Sequence, residues 1–187
     1  MVSRPPTEDE LLERARRGDG AAFATLAREH EEIAFRTAYL ITRNAADAEE
    51  AAQDGLVKAY RALGRFRRGA PLRPWLLSIV ANEARNRRRS AGRREGLALR
   101  AAGAEAPSGG AAPSPEGIVL DHERRTTLLA ALDRLRDDDR LVLGCRFLLD
   151  LSEEDTAAAL GVARGTVKSR TSRALERMRH ELGEERP

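Results

Sequence analysis

Apolar residues recur at helical spacing along most of the chain, and no segment alternates apolar and polar with a period of two. Thr7-Glu8-Asp9-Glu10 has the order of a capping box, with a hydroxyl to accept from the N3 amide and a carboxylate to reach back. A short helix to about Arg17 follows, stopped by Gly18. Asp19 is placed to cap a second helix whose apolar stripe is Phe23, Leu26, Ile33, Ala34, Ala38 and Ile41. Asn44-Ala45-Ala46 interrupts it. Asp47, with Glu50 three residues on, starts a third helix with the stripe Ala52, Leu56, Ala59, Tyr60 and Leu63. GRFRRGAP at 64–71 reads as a loop. Pro74 suits the first turn of a fourth helix that turns Trp75, Leu76, Ile79 and Val80 inward.

The pattern fades near Ala91. From there to Gly117 the chain reads AGRREGLALRAAGAEAPSGGAAPSPEG, and Pro, Gly, Ala and Ser dominate its second half. Helical spacing returns over 118–135 and 137–149. Ser152-Glu153-Glu154-Asp155 opens another helix that ends at Leu160-Gly161. A turn at Val162-Ala163-Arg164 leads to a last helix ending near Leu182. A short helix, a Gly-containing turn and a longer basic helix form a helix-turn-helix pattern. The predicted fold class is all-α: two small helical domains, residues 1–92 and 118–187, joined by a flexible linker at 93–117.

Composition narrows the function. The chain has 187 residues, 41% hydrophobic but only 4% aromatic, so the core must come from Leu, Ala, Val and Ile. Lys+Arg number 33 against 30 Asp+Glu, so the net charge of +3 says less than where the charges sit. One cysteine, Cys145, excludes an internal disulfide, and its apolar neighbours give it a core role. His30, His122 and His180 are too dispersed for zinc spacing. No Gly-rich phosphate loop and no nucleophile–base arrangement stands out. The expectation is no enzyme, no metal and no cofactor. The first residues lack the apolar run of a signal peptide and no stretch is long and apolar enough for a membrane span, so a cytoplasmic location is expected.

The candidate chemistry lies in the polar faces. At 100° per residue, Val167, Thr171, Ala174, Leu175, Met178 and Leu182 share one sector of the last helix, while Thr166, Ser169, Arg170, Arg173, Arg177 and His180 share the opposite one. A solvated charged face is the plainer reading of such a helix. Against it, Glu176 is the one acid before Glu181, so i,i+4 pairing does not account for the cations. Guanidiniums can pair with guanine edges, and hydroxyls can reach bases or phosphates. A second basic cluster, Arg85, Arg87, Arg88, Arg89, Arg93 and Arg94, ends the fourth helix, with Asn82 and Asn86 one turn apart. Arg65, Arg67 and Arg68 lie in the loop before it. Cations for phosphates, amides for bases and a loop able to hold an unstacked base fit a single-strand site. Trp75 reads first as core. Asp47, Glu49, Glu50 and Asp54 crowd the start of the third helix, where dipole compensation and a docking face are both open readings.

DAEEAAQDGLVKAYRALGRF followed by PLRPWLLSIVANEARNRRR resembles the second domain of bacterial RNA polymerase sigma factors of the extracytoplasmic-function (ECF) group. ALDRLRDDDRLVLGCRFLLDLSEEDTAAALGVARGTVKSRTSRALERMR resembles their fourth domain, in the right order. The resemblance implies docking on the clamp helices of core RNA polymerase through the third helix, with Glu50, Gln53, Asp54 and Lys58 as contacts. It implies capture of an extruded base of the promoter −10 element by the 64–71 loop and the fourth helix, through Arg65, Arg67, Asn82, Arg85, Asn86 and Arg89. It implies that the C-terminal domain sits on the polymerase flap and reads the −35 element with Thr166, Lys168, Ser169, Arg170, Arg173 and Arg177. It also implies control by an anti-sigma factor. The sequence departs from the family pattern at Ala163, where a capping Ser is common, at Thr171 on the buried stripe, and at Ala51 and Gly55, where larger apolar residues are usual. A stand-alone helix-turn-helix regulator is the alternative, and it leaves the motifs before the linker without a task.

Overall fold

The computed structural model describes residues 4–102, 127–128, 130–132 and 134–183. All regular structure among them is helical, and the chain divides into two compact units, Met1–Gly92 and Arg93–Pro187.

The first unit contains α1 (Glu8–Arg16), α2 (Gly20–Thr42), α3 (Ala45–Ala62), a 3-10 turn (Leu63–Arg65) and the start of α4 (Leu72–Ala102). The capping box at α1 forms with both bonds, Glu10 N–H to Thr7 Oγ1 and Thr7 N–H to the Glu10 carboxylate. Asp19 caps α2 by accepting from the Ala21 and Ala22 amides, each at 3.0 Å. The bond from Ala22, with help from Arg14, holds the Asp19 carboxyl below its ordinary pKa. The start of α3 differs from expectation. Asn44, not Asp47, is its cap: the Asn44 side chain accepts from the Asp47 amide at 2.9 Å, and the helix begins at Ala45. Asn44 holds the extended backbone that capping needs, so the residue read as a helix breaker is the helix starter.

Small side chains set the spacing of α2, α3 and α4. Ala34, Ala38, Ala48, Ala51, Ala59, Ala81 and Ala84 are all sealed from solvent. At Gly55 a Cβ would lie 2.9 Å from the Val80 Cα, a backbone atom that cannot step aside. Gly55 is therefore the condition for the close crossing of α3 and α4. The inward face of α4 is Leu76, Leu77, Val80, Ala81 and Ala84, whereas Trp75 and Ile79 are only partly buried. Trp75 packs against Phe66, ring centres 4.7 Å apart, at the edge of a cluster built from Leu11, Leu12, Leu26, Leu63 and Leu72.

Residues 93–102, expected to open the linker, are helical, because α4 runs on to Ala102. RREGLALRAA is mostly strong helix formers, and an existing helix elongates at little cost. The rest of that segment, and residues 118–126 of the helix expected after it, lie outside the described residues.

The second unit has helical residues at 127–128, 130–132 and 134, then α5 (Asp137–Leu143), α6 (Glu153–Leu160) and α7 (Arg164–Glu181). The helix expected over 137–149 is α-helical only to Leu143. Gly144–Leu148 is a π turn, closed by the Leu149 amide on the Gly144 carbonyl at 3.0 Å. Ser152 caps α6 by accepting from the Asp155 amide. Gly161, in the left-handed region at φ +67°, ends α6 and starts the tight turn to α7. Val142, Leu143, Val167, Ala174 and Met178 join Ala131 and Leu135 in the core of this unit.

Candidate nucleic-acid and partner interfaces

The basic helix α7 begins without a side-chain cap, because Ala163 holds the N-cap position in extended backbone. Its buried seam is the expected one. Val167 and Ala174 are fully enclosed and Met178 nearly so. Thr171 resolves its hydroxyl within the helix, donating to the Val167 carbonyl at 2.8 Å.

The cationic face is less uniform than a helical wheel suggests. Lys168, Ser169 and Arg173 are exposed, and Thr166 is partly buried beside them. Ser169 donates to the Thr166 carbonyl and Arg173 Nε to the Ser169 carbonyl, which lays both side chains along the helix surface. Arg170 and Arg177 instead flank α5. Arg170 lies 3.3 Å from Asp138, and Arg177 donates to Asp139. The Asp139 side chain is only 6% exposed, so Arg177 neutralises a buried carboxylate. The acidic first turn of α5 therefore holds two of the six candidates, and Thr166, Lys168, Ser169 and Arg173 are left as the outward group. The helical wheel places five of the six, all but Lys168, in one sector, because it does not show which neighbour covers which flank.

In the first unit, Asn82, Arg85, Asn86 and Arg89 form a ladder on one face of α4. Arg85 donates to the Asn82 amide oxygen at 3.0 Å, and Arg89 to the Asn86 amide oxygen at 2.7 Å. Each guanidinium is thereby oriented beside an amide whose NH2 group stays available. Arg65 and Arg67 are exposed in the preceding loop, on either side of buried Phe66.

The four residues expected to meet a protein partner do not form one patch. Glu50 and Asp54 both accept from Arg87 of α4, the Asp54 bond measuring 2.6 Å. The Asp54 hydrogen bond is the main reason that the Arg87 pKa is raised further above its ordinary value. Lys58 Nζ reaches Glu83 of α4 at 2.6 Å. Gln53 lies on the other flank of α3, in an open groove of 330 Å³ against α2 that also presents Glu31, Glu32, Glu49, Phe35 and Leu56. Arg87 and Glu83 were missed as partners of these residues. The i,i+4 spacing of Glu50 and Asp54 was the available signal, since it places two carboxylates within reach of one guanidinium.

The model of sigma-70 region 2 matches residues 26–94, and the model of sigma-70 region 4 matches residues 131–180. The chain belongs to the sigma-70 family of RNA polymerase sigma factors. The ECF RNA polymerase sigma-E factor of Escherichia coli K12 is 34% identical over 184 residues, covering 94% of each chain. The RNA polymerase sigma-H factor of Pseudomonas aeruginosa is 34% identical over 174 residues, covering 90% of each. The fold is shared with CnrH, solved in complex with the cytosolic domain of CnrY, at a TM-score of 0.66, 23% identity and 96% and 99% coverage. The sigma factor RpoE of Bartonella quintana, solved with the anti-sigma factor NepR, aligns at a TM-score of 0.64, 29% identity and 88% and 98% coverage.

For this sigma factor, most of α2, all of α3 and most of α4 fall within region 2, and α5, α6 and all but the last residue of α7 fall within region 4. The family comprises transcription initiation factors. Among the described residues no helix is long and apolar enough to cross a membrane, and no group of three or more His, Cys, Asp or Glu side chains is placed to hold a metal ion.

Proposed function

We propose that this sigma factor binds core RNA polymerase, reads a −35 element with α7, and opens and captures the −10 element with α4 and the loop before it. The observation that carries this reading is the pairing of two faces in one chain. The Asn82–Arg89 ladder offers amides and cations to an unstacked strand, and Lys168, Ser169 and Arg173 point outward from a helix-turn-helix. Pulling one base from the stack costs a few kcal/mol, and the loop with its adjacent ladder supplies the contacts that recover it. Arg65 and Arg67 stand at that loop. Residues 1–92 form the polymerase- and −10-binding domain, with Glu50, Gln53, Asp54 and Lys58 on its polymerase-facing helix, and 118–187 the −35-binding domain seated on the flap.

The protein acts in the cytoplasm as a specificity subunit with no catalysis of its own. The relative solved with the anti-sigma factor NepR supports control by an anti-sigma factor. The test is run-off transcription from genomic DNA with purified core enzyme, with and without the full chain. Discrete products that require the chain are expected. A chain that binds duplex DNA tightly alone yet never redirects core enzyme would instead be a stand-alone helix-turn-helix regulator.

A further inference from the structure

Helix α1 precedes the residues matched by region 2, and no part of the proposed function uses it. It is nevertheless tied to the 64–71 loop in three ways. Arg16 Nη1 donates to the Phe66 carbonyl at 2.9 Å, in a partly buried setting. Arg68 Nε lies 3.3 Å from the Glu13 carboxylate. The Phe66 ring sits with Leu11, Leu12 and Ala15 of α1 in one apolar cluster. Beside these contacts is an open cavity of 180 Å³ bordered by Arg16, Phe66, Arg68 and Gly69.

The backbone of this loop leaves few alternatives. The Phe66 amide bonds the Leu63 carbonyl, and the Ala70 amide bonds the Arg67 carbonyl across a turn in which Gly69 takes φ +71°. The Phe66 carbonyl accepts from no backbone amide in that scheme, and Arg16 satisfies it. Phe66 itself is extended, at φ −67° and ψ 130°. Phe66 is buried, while Arg65 at the end of the 3-10 turn and Arg67 after it are both exposed, so what fixes Phe66 also fixes the backbone from which the two arginines leave.

We propose that α1 is a positioning element for the DNA-facing loop, and that Arg16, acting through the Phe66 carbonyl, sets the direction of Arg65 and Arg67 toward the captured base. The inference rests on the base-capture reading of the loop. Arg16 is a positioning residue with no DNA contact of its own.

The test uses holoenzyme assembled from core enzyme and the full chain, on a promoter selected by the wild type. Four pre-melted templates carry each base in turn at the unpaired non-template position of the −10 element, and the spread of initiation rates is measured. Arg16→Met, which keeps length but loses the donors, narrows that spread by about threefold to tenfold, the worth of one hydrogen bond. Arg16→Lys, which keeps a donor, retains most of it. Affinity for core enzyme stays at the wild-type level, and any loss of stability in Arg16→Met stays within the worth of one hydrogen bond. Glu13→Gln, which releases Arg68 without touching the apolar face of α1, narrows the spread in the same direction. A wild-type spread in Arg16→Met overturns the proposal. So does equal narrowing in the Met and Lys variants accompanied by a fall in melting temperature. Should Arg16→Met fail to fold, an unchanged spread in Glu13→Gln overturns it. A wild-type holoenzyme that initiates equally on all four templates removes the base-capture reading itself, and the inference falls with it.

Discussion

At the scale of single residues, the arginines of this protein divide by what lies opposite them. Arg173 meets no carboxylate among the described residues, while Arg177 faces an Asp139 side chain that is only 6% exposed. Removing one partner of a buried pair costs about 3–5 kcal/mol when both are enclosed. Arg177 keeps 44% of its side chain in water, so the cost of Arg177→Ala should be smaller, about 1–3 kcal/mol. Thermal melting of the full chain should show a clear loss for Arg177→Ala and almost none for Arg173→Ala. Promoter binding should show the reverse emphasis: Arg173→Ala weakens −35 recognition by about 1–3 kcal/mol if the guanidinium pairs with a base. Equal melting temperatures for the two variants would contradict the structural role given to Arg177. The pairs on α3 are of another kind. The Glu50 and Asp54 side chains are 62% and 54% exposed, so their bridges to Arg87 add little stability and weaken with salt. Such carboxylates can exchange one partner for another at low cost.

At the scale of elements, the helix starts are where local chemistry is most direct. Helix α7 begins at Ala163 with no side-chain cap, although the backbone there, φ −69° and ψ 147°, is already that of a capped start. Ala163→Ser should therefore stabilise the second unit by about 1 kcal/mol without moving the recognition face. A melting temperature equal to or below wild type would show that the uncapped end is not a deficit. Helix α2 starts on a charged cap. The Asp19 pKa is lowered by the Ala22 amide and by Arg14, so the folded form holds the carboxylate more tightly than the unfolded chain does. A depressed carboxylate contributes stability that is present above its unfolded value and lost as pH falls through the folded one. The stability gap between wild type and Asp19→Asn should be full at neutral pH, begin to narrow as pH drops below the ordinary value of 3.8, and close only through the lower folded value. Melting curves at pH 6 and pH 3 check this, and a gap that widens in acid would reverse the sign. The helix starts at Thr7, Asp19 and Ser152 were legible in sequence because a cap depends on three or four consecutive residues. The cap of α3 lies three residues before the expected one because Asn44 and Asp47 are both acceptable caps, and only the path of the backbone chooses between them.

At the scale of the molecule, the two surfaces proposed to face DNA lie in separate compact units, one on α4 and one on α7. The proposed division of labour makes their defects separable. Asn82→Ala should impair opening on duplex promoters while −35 duplex binding persists, and a pre-melted −10 template should restore only the part of the loss that belongs to melting. Arg173→Ala should be defective on both templates wherever the −35 element is required. Abortive initiation rates on duplex and bubble templates measure the difference, and identical defects for the two variants on the bubble would refute the separation.

Helix periodicity, caps and the order of motifs are properties of consecutive residues, so the all-α class, the helix-turn-helix and the family resemblance could be read from the sequence alone. So could the buried seam of α7, since Val167, Ala174 and Met178 recur at the helical repeat. What required tertiary structure was every relation between residues distant in sequence. The closeness of α3 to α4 depends on what lies opposite Gly55. The engagement of Glu50, Asp54 and Lys58 depends on Arg87 and Glu83, and that of Arg170 and Arg177 on α5. The tie from Arg16 to the Phe66 carbonyl spans the whole of α2 and α3. A helical wheel gives the direction in which a side chain leaves its own helix; only packing decides whether it meets water, an opposite charge or another backbone.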